Sequence, residues 1–168
     1  GALISMEMSS KSVVRRALSG LSTIRIKSMR SGIGLPYNWR AMFGDTAGYL
    51  EQLPIYISDK TMSTDYLRST LKSLKREFGI TWFGVDYALL FDDRAENEIV
   101  RTEIISRNLK HICNDLDFSG VVLQSVVKSG MDNNMGGGSK SRMRGSGQMI
   151  HDADMIMQLT AFEKLDDT

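Results

Sequence analysis

Apolar positions in this chain follow two different rhythms that take turns along its length. Short, mostly apolar runs at Ala2-Leu3-Ile4, Ile55-Tyr56-Ile57, Ile80 to Val85, Val121-Val122-Leu123 and Met155 to Leu159 read as strands. Between them, apolar residues recur at helical spacing: Val13, Val14, Ala17, Leu18 and Leu21, then Leu67, Leu71, Leu74 and Phe78, then Ile105, Leu109, Ile112 and Leu116. Punctuation agrees with the rhythm. Ser9 or Ser10 caps the first helix, Ser63 or Thr64 starts another, and Gly79 stops it. Ser31 to Pro36 has loop composition, Trp39 to Leu53 reads as a helix, and a helix from about Glu96 to Leu116 follows Asp92-Asp93. A short helix is expected around Gln148 to His151. Strands that alternate with helices predict a parallel, three-layer α/β sheet, with the Tyr56 strand, its helix and the Trp82 strand forming a βαβ unit.

The run from Ile80 to Tyr87 stands out because it does not alternate: it is almost purely apolar, as a strand buried on both faces would be, up to the carboxylate of Asp86. In open α/β sheets ligands bind beyond the carboxyl ends of the strands, where an Asp can hold a metal ion. Taken alone, the same pattern is equally that of a strand ending in a turn-favouring residue. Glu7 and Gln124 follow two other apolar runs in the same way. In a parallel sheet all three ends share an edge. A carboxylate to orient Mg²⁺, a second to polarise water and an amide to contact a terminal phosphate would suit nucleotide hydrolysis.

Charge changes the picture through its distribution. The totals nearly cancel, 21 Lys and Arg against 20 Asp and Glu in 168 residues. Residues 1–50, however, carry seven basic side chains (Lys11, Arg15, Arg16, Arg25, Lys27, Arg30, Arg40) against Glu7 and Asp45. Residues 121–150 carry Lys128, Lys140, Arg142 and Arg144 against Asp132 alone. Segregated positive charge suits a polyanionic partner, and also an ordinary solvated face. Residues 129–147 hold six glycines and little that is apolar, the composition of a mobile loop within the domain. The single cysteine, Cys113, excludes an internal disulfide and falls on a helical pattern, where a small buried hydrophobe is expected. With no membrane-length apolar run and no signal-peptide layout, a soluble, cytoplasmic protein is expected.

Four segments, in order, carry a resemblance. Ser5-Met6-Glu7-Met8-Ser9 resembles the S-L-E-M-S segment of DnaB-like replicative helicases, members of the RecA-like ATPase superfamily. Gly79 through Asp86-Tyr87 resembles the strand that ends in that family's Walker B Asp-Tyr. Ile105 to Lys110 is similar to its I-S-R-x-L-K helix, and Arg144-Gly145-Ser146-Gly147 continuing to Asp152-Ala153-Asp154 is similar to its R-E-S-G…D-A-D segment. The resemblance implies a RecA-like P-loop NTPase core, a three-layer α/β fold with a mainly parallel sheet, carried here incompletely as a single partial motor domain over residues 1–168. It implies a catalytic glutamate at Glu7 that activates water, and a Walker B carboxylate at Asp86 that supports Mg²⁺ beside bound ATP, with Tyr87 next to it. Gln124 becomes the sensor of the terminal phosphate. The glycine-rich loop with Lys128, Lys140, Arg142 and Arg144 becomes a channel loop that grips single-stranded DNA with little sequence preference. A homo-hexameric ring and a primase or helicase loader are the implied protein partners.

The departures bear on activity. No G-x-x-x-x-G-K-[ST] phosphate loop occurs in these residues, and in the family that loop lies just upstream of the strand that opens this chain. Weak or no nucleotide binding is therefore expected. The family's downstream segment, which reaches the neighbouring subunit's nucleotide, is also absent. Gly145 stands where the family has Glu, and Val126-Val127-Lys128 replaces a short Asn-Arg ending. The expectation is the middle of a helicase motor, excised or carried by a truncated, phage-like gene, and inactive alone. Two alternatives stand beside it: a non-catalytic RecA-like remnant that binds nucleic acid or protein, and a metal-dependent phosphoesterase using Asp86 with Asp92 or Asp93. His151-Asp152-Ala153-Asp154 reads as a helix-end cluster in preference to a metal site.

Overall fold

The computed structural model describes residues 1–125, 147–157 and 159. Four strands, β1 (Ala2–Ser5), β2 (Tyr56–Ser58), β3 (Trp82–Asp86) and β4 (Ser119–Val122), form one sheet in the order β2-β1-β3-β4. Every neighbouring pair is parallel. The helices are α1 (Ser10–Ser22), α2 (Ile26–Ser31), α3 (Trp39–Gln52), α4 (Thr64–Phe78), α5 (Glu98–Leu116) and α6 (Gln148–Asp152).

The helix ends are made by local chemistry. Ser9, Ser63 and Asn97 accept hydrogen bonds from the backbone N–H groups of Ser12, Tyr66 and Val100, so α1, α4 and α5 each begin on a side-chain cap. Gly79 ends α4 in the left-handed region at φ +64°, where glycine is unstrained. At the end of α5 the Lys75 ammonium donates to the carbonyls of Leu116 at 2.6 Å and Asp117 at 3.1 Å, which satisfies orphan acceptors and ties α4 to α5. These two helices bury Leu67, Leu71, Ile105, Leu109 and Ile112 against Ala2, Ile4, Phe83 and Val85 of the central strands.

Connection order fixes the layers. The chain steps from β1 outward to β2, crosses back over β1 to β3, and continues to β4. Right-handed crossovers then put α4 and α5 on one face and the α1–α3 segment on the other. The parallel α/β arrangement expected from the alternating pattern is what the chain forms.

Several local expectations are corrected. The short helix α2 was not legible: Arg25 stands at its N-cap without a side-chain bond. In α1 only Leu18 and Ser22 are buried, while Val14 and Leu21 of its apolar side are exposed. Ser119, not Val121, opens β4, and Val121 is 55% exposed because β4 is the edge of the described sheet. Trp82 is 39% exposed, so β3 is buried from Phe83 onward and not at its start. Met155–Met157 form no strand. The residues just before them are bound to α5 instead. Residues 126–146, with Lys128, Lys140, Arg142 and Arg144, lie outside the described residues. No helix among the described residues is long and apolar enough to cross a membrane.

Gly120 explains how β4 docks. A Cβ there would lie 2.9 Å from both Cys113 Sγ and Phe83 Cζ, so the strand approaches α5 closely only because that atom is missing. Burial pushes the Cys113 thiol up from its ordinary value, in keeping with a packing group. Gly120→Ala is expected to destabilise the fold by about 1–3 kcal/mol, read as a lower denaturation midpoint at unchanged slope. An unchanged midpoint would show that β4 does not pack here.

Candidate functional site

Neighbouring strands β1 and β3 send their following loops to opposite faces of the sheet, which makes the rim between them a topological switch point. That rim is tied together by backbone bonds beyond the strand ends. Met6 N–H donates to the Asp86 carbonyl at 2.9 Å, Leu123 N–H to Val85 at 2.9 Å, and Ala88 N–H to Leu123 at 3.1 Å. The loops after β1, β3 and β4 are therefore held side by side by the same ladder that makes the sheet.

Alternation along β1 decides which side chains face the crevice. Ala2, Ile4 and Met6 pack into the α4–α5 core, so Leu3 and Ser5 have the opposite phase. Leu3 is in register with Gly84, and its Cδ1 lies 3.1 Å from where a Gly84 Cβ would be. Ser5 is in register with Asp86. Ser5 and Asp86 thus share one side of the rim, Ser5 buried and Asp86 half-buried, while Glu7 lies exposed in the bend two residues past the end of β1. Tyr87, half-buried, follows Asp86 through a cis peptide. Gln124 lies at the same rim one step out of phase: extending the register of Val85 with Val122 sets Leu123 beside Asp86 and Gln124 beside Tyr87. Its amide oxygen is buried.

Two further carboxylates have roles the sequence pattern did not reveal. Asp59, just past β2, accepts a 2.7 Å bond from Ser10 N–H in the first turn of α1, which has no acidic residue of its own. That backbone hydrogen bond, with the Ser10 side chain adding to it, holds the Asp59 carboxyl below its ordinary value. Asp93 accepts from Thr64 N–H at 2.9 Å and Thr64 Oγ1 at 2.5 Å, and Asn108 Nδ2 donates to the same hydroxyl at 2.8 Å. Asp93 is a fastener for the start of α4, which removes it from the phosphoesterase reading. A helical start near an Asp far along the chain was the only available signal.

The I-S-R-x-L-K and D-A-D segments meet each other. Ser106 Oγ donates to Asp152 at 2.5 Å, Gln148 Nε2 donates to the other oxygen of that carboxylate at 2.9 Å, and Lys110 Nζ pairs with Asp154 at 2.6 Å. The Asp-Ala-Asp segment is thereby a clasp on α5. Among the described residues no cluster of three His, Cys, Asp or Glu could hold a metal unaided. The rim fits Mg²⁺ in that ion's usual manner, a carboxylate or two with the remaining positions left to water and phosphate. Ser5 Oγ, buried and with no hydrogen-bond partner among the described residues, points to the same conclusion: the rim contains polar capacity that the chain itself does not use.

Residues 1–167 match the family model of the DnaB-like helicase C terminal domain. The replicative DNA helicase DnaB of Geobacillus stearothermophilus is 28% identical over 159 residues, covering 92% of this chain and 35% of that protein. That of Mycobacterium intracellulare is 26% identical over 170 residues, covering 98% and 29%. The chain spans about a third of the length of these curated relatives. Among solved structures, a DnaB-like replicative helicase, solved with its interactions with primase in view, superposes with a TM-score of 0.82 at 24% identity, covering 91% of this chain and 38% of that one. A second solved chain, an ATPase domain, gives the same TM-score and identity, with 56% of its length covered.

The Asp59 bond makes a pH prediction. A carboxyl whose folded-state value is lowered stabilises the fold above its unfolded value, and the contribution is lost as pH falls through the lowered value. The denaturation midpoint of the wild type is expected to exceed that of Asp59→Asn by a constant margin above about pH 4, and the margin should close below it. A margin that persists to about pH 2 would show that the Ser10 contact is not the cause.

Proposed function

The chain belongs to the DnaB-like helicase C-terminal domain family, and from that membership we propose that it is the central part of an ATP-driven replicative DNA helicase motor. One observation supports the reading: β1 and β3 are adjacent and parallel with Ser5 in register with Asp86, so the bend that carries Glu7 leaves the sheet beside Asp86 at the switch point. In this reading Asp86 holds the hydration shell of Mg²⁺, Tyr87 flanks the nucleotide, and Glu7, exposed in the crevice, orients and deprotonates the attacking water. Mg²⁺, when bound, supplies charge neutralisation across the phosphates of ATP. Gln124 reports the state of the terminal phosphate to the segment that follows it. Lys128, Lys140, Arg142 and Arg144 contact the backbone of single-stranded DNA. Ring neighbours of the same kind and a primase or helicase loader are the partners this reading gives it; one structural neighbour is a helicase studied for its interactions with primase.

These 168 residues contain carboxylates for the metal but no G-x-x-x-x-G-K-[ST] loop for the phosphates. The chain alone should therefore bind DNA and not ATP, and this is what keeps the non-catalytic binding module as the second reading.

Fluorescence anisotropy with a labelled single-stranded oligonucleotide tests the DNA half. Arg142→Ala with Arg144→Ala should weaken binding for all sequences alike and reduce the log–log salt slope by about 1.4, roughly 0.7 per lost phosphate contact. An unchanged affinity and slope would take the loop out of DNA binding. On the same sample, calorimetry with Mg-ATP should show no binding at micromolar concentration, and micromolar affinity would contradict the role given to the phosphate loop.

A further inference from the structure

Five polar residues of the described chain are buried: Ser5, Ser22, Thr64, Thr102 and Ser106. Four have an evident structural bond. Ser22 Oγ donates to the Leu18 carbonyl, Thr64 Oγ1 to Asp93, Thr102 Oγ1 to the Glu98 carbonyl and Ser106 Oγ to Asp152. Ser5 is the exception. It is 1% exposed, and its hydroxyl has no partner among the described residues. A hydroxyl in that position carries the cost of leaving water with nothing inside the fold to offset it. An alanine would fit the same strand without that cost.

Its position says what the hydroxyl faces. Ser5 is the last residue of β1 and the in-register neighbour of Asp86, the last residue of β3. Side chains at matched positions of adjacent parallel strands lie on the same face about 5 Å apart. The backbone bond from Met6 to Asp86 continues the ladder past this pair and holds the two strand ends in register. The hydroxyl and the carboxylate are therefore neighbours on one face of the sheet at the switch point. A hydroxyl can both accept and donate, which suits a water molecule that is itself bound to a cation.

We propose that Ser5 is a positioning residue for a hydrated divalent cation at Asp86, its hydroxyl fixing one water of the cation's shell. This rests on the reading of Asp86 as the metal-supporting carboxylate. Asp86 attracts the cation, and Ser5 determines where the shell sits relative to the rim.

The test uses Mn²⁺ alone as the probe, on this chain, with two readouts: paramagnetic broadening of the amide NMR signals of Ser5, Met6 and Asp86, and melting temperature without metal. In the wild type, Mn²⁺ should broaden these signals ahead of those in α3. Ser5→Ala should raise the Mn²⁺ concentration needed by roughly fivefold while its metal-free melting temperature stays level or rises. Asp86→Asn should abolish the selective broadening. If Asp86→Asn abolishes it and Ser5→Ala leaves it unchanged, the inference about Ser5 fails and the metal reading stands. If Asp86→Asn leaves it unchanged, the metal reading fails and takes the inference with it. If Ser5→Ala lowers the metal-free melting temperature, the hydroxyl serves a structural bond within the chain and the proposal is overturned.

Discussion

The parallel pairing of β1 with β3 is the constraint on which the rest of the structure depends. Four in-register residue pairs run from Ala2 with Phe83 to Ser5 with Asp86, and the Met6 bond extends the ladder beyond them. A parallel sheet puts every strand's carboxyl end at the same edge, and a change of winding direction opens that edge between two particular strands. Here those strands are the ones that end at Ser5, with Glu7 two residues on, and at Asp86, followed by Tyr87. The polar groups at the crevice are therefore consequences of strand order and register. They need no long loop to bring them together.

The remaining elements support that edge from behind. α4 and α5 fill one face of the sheet, and Lys75 and the Thr64–Asp93–Asn108 network lock them to one another and to the loop that follows β3. Asp59 fastens the start of α1 from beyond β2. Ser106 and Lys110 hold the Asp152–Asp154 segment against α5. Most of these fasteners are carboxylates bound by N–H groups, hydroxyls or an ammonium. Two pieces that look like separate motifs in the sequence, around Ile105 and Asp152, are in this sense one structural unit.

Much of this was legible in the residues, and the parts that were not have physical reasons. Gly79, Ser63 and the apolar run through Val85 announce their elements because stop, cap and burial act locally. Asp86 was legible as a strand end for the same reason, whereas β1 stops at Ser5, two residues before Glu7. α2 was not, since six residues with an uncapped start carry no periodic signal. The exposure of Val121 depends on which strand forms the edge, and periodicity does not encode strand order. Ser5 looked like one more strand residue because its isolation is defined by what surrounds it. Asp93 resembles a free carboxylate in the sequence because its partner, Thr64, is 29 residues away.

Through-hydrogen-bond scalar coupling tests the pairing at the rim most directly. A coupling is expected from the Met6 amide nitrogen to the Asp86 carbonyl carbon, and from Leu123 to Val85, with both amides slow to exchange. Coupling of Met6 to any other carbonyl, or a fast-exchanging Met6 amide with no coupling, would mean that Glu7 and Asp86 do not share an edge, and the site would be contradicted.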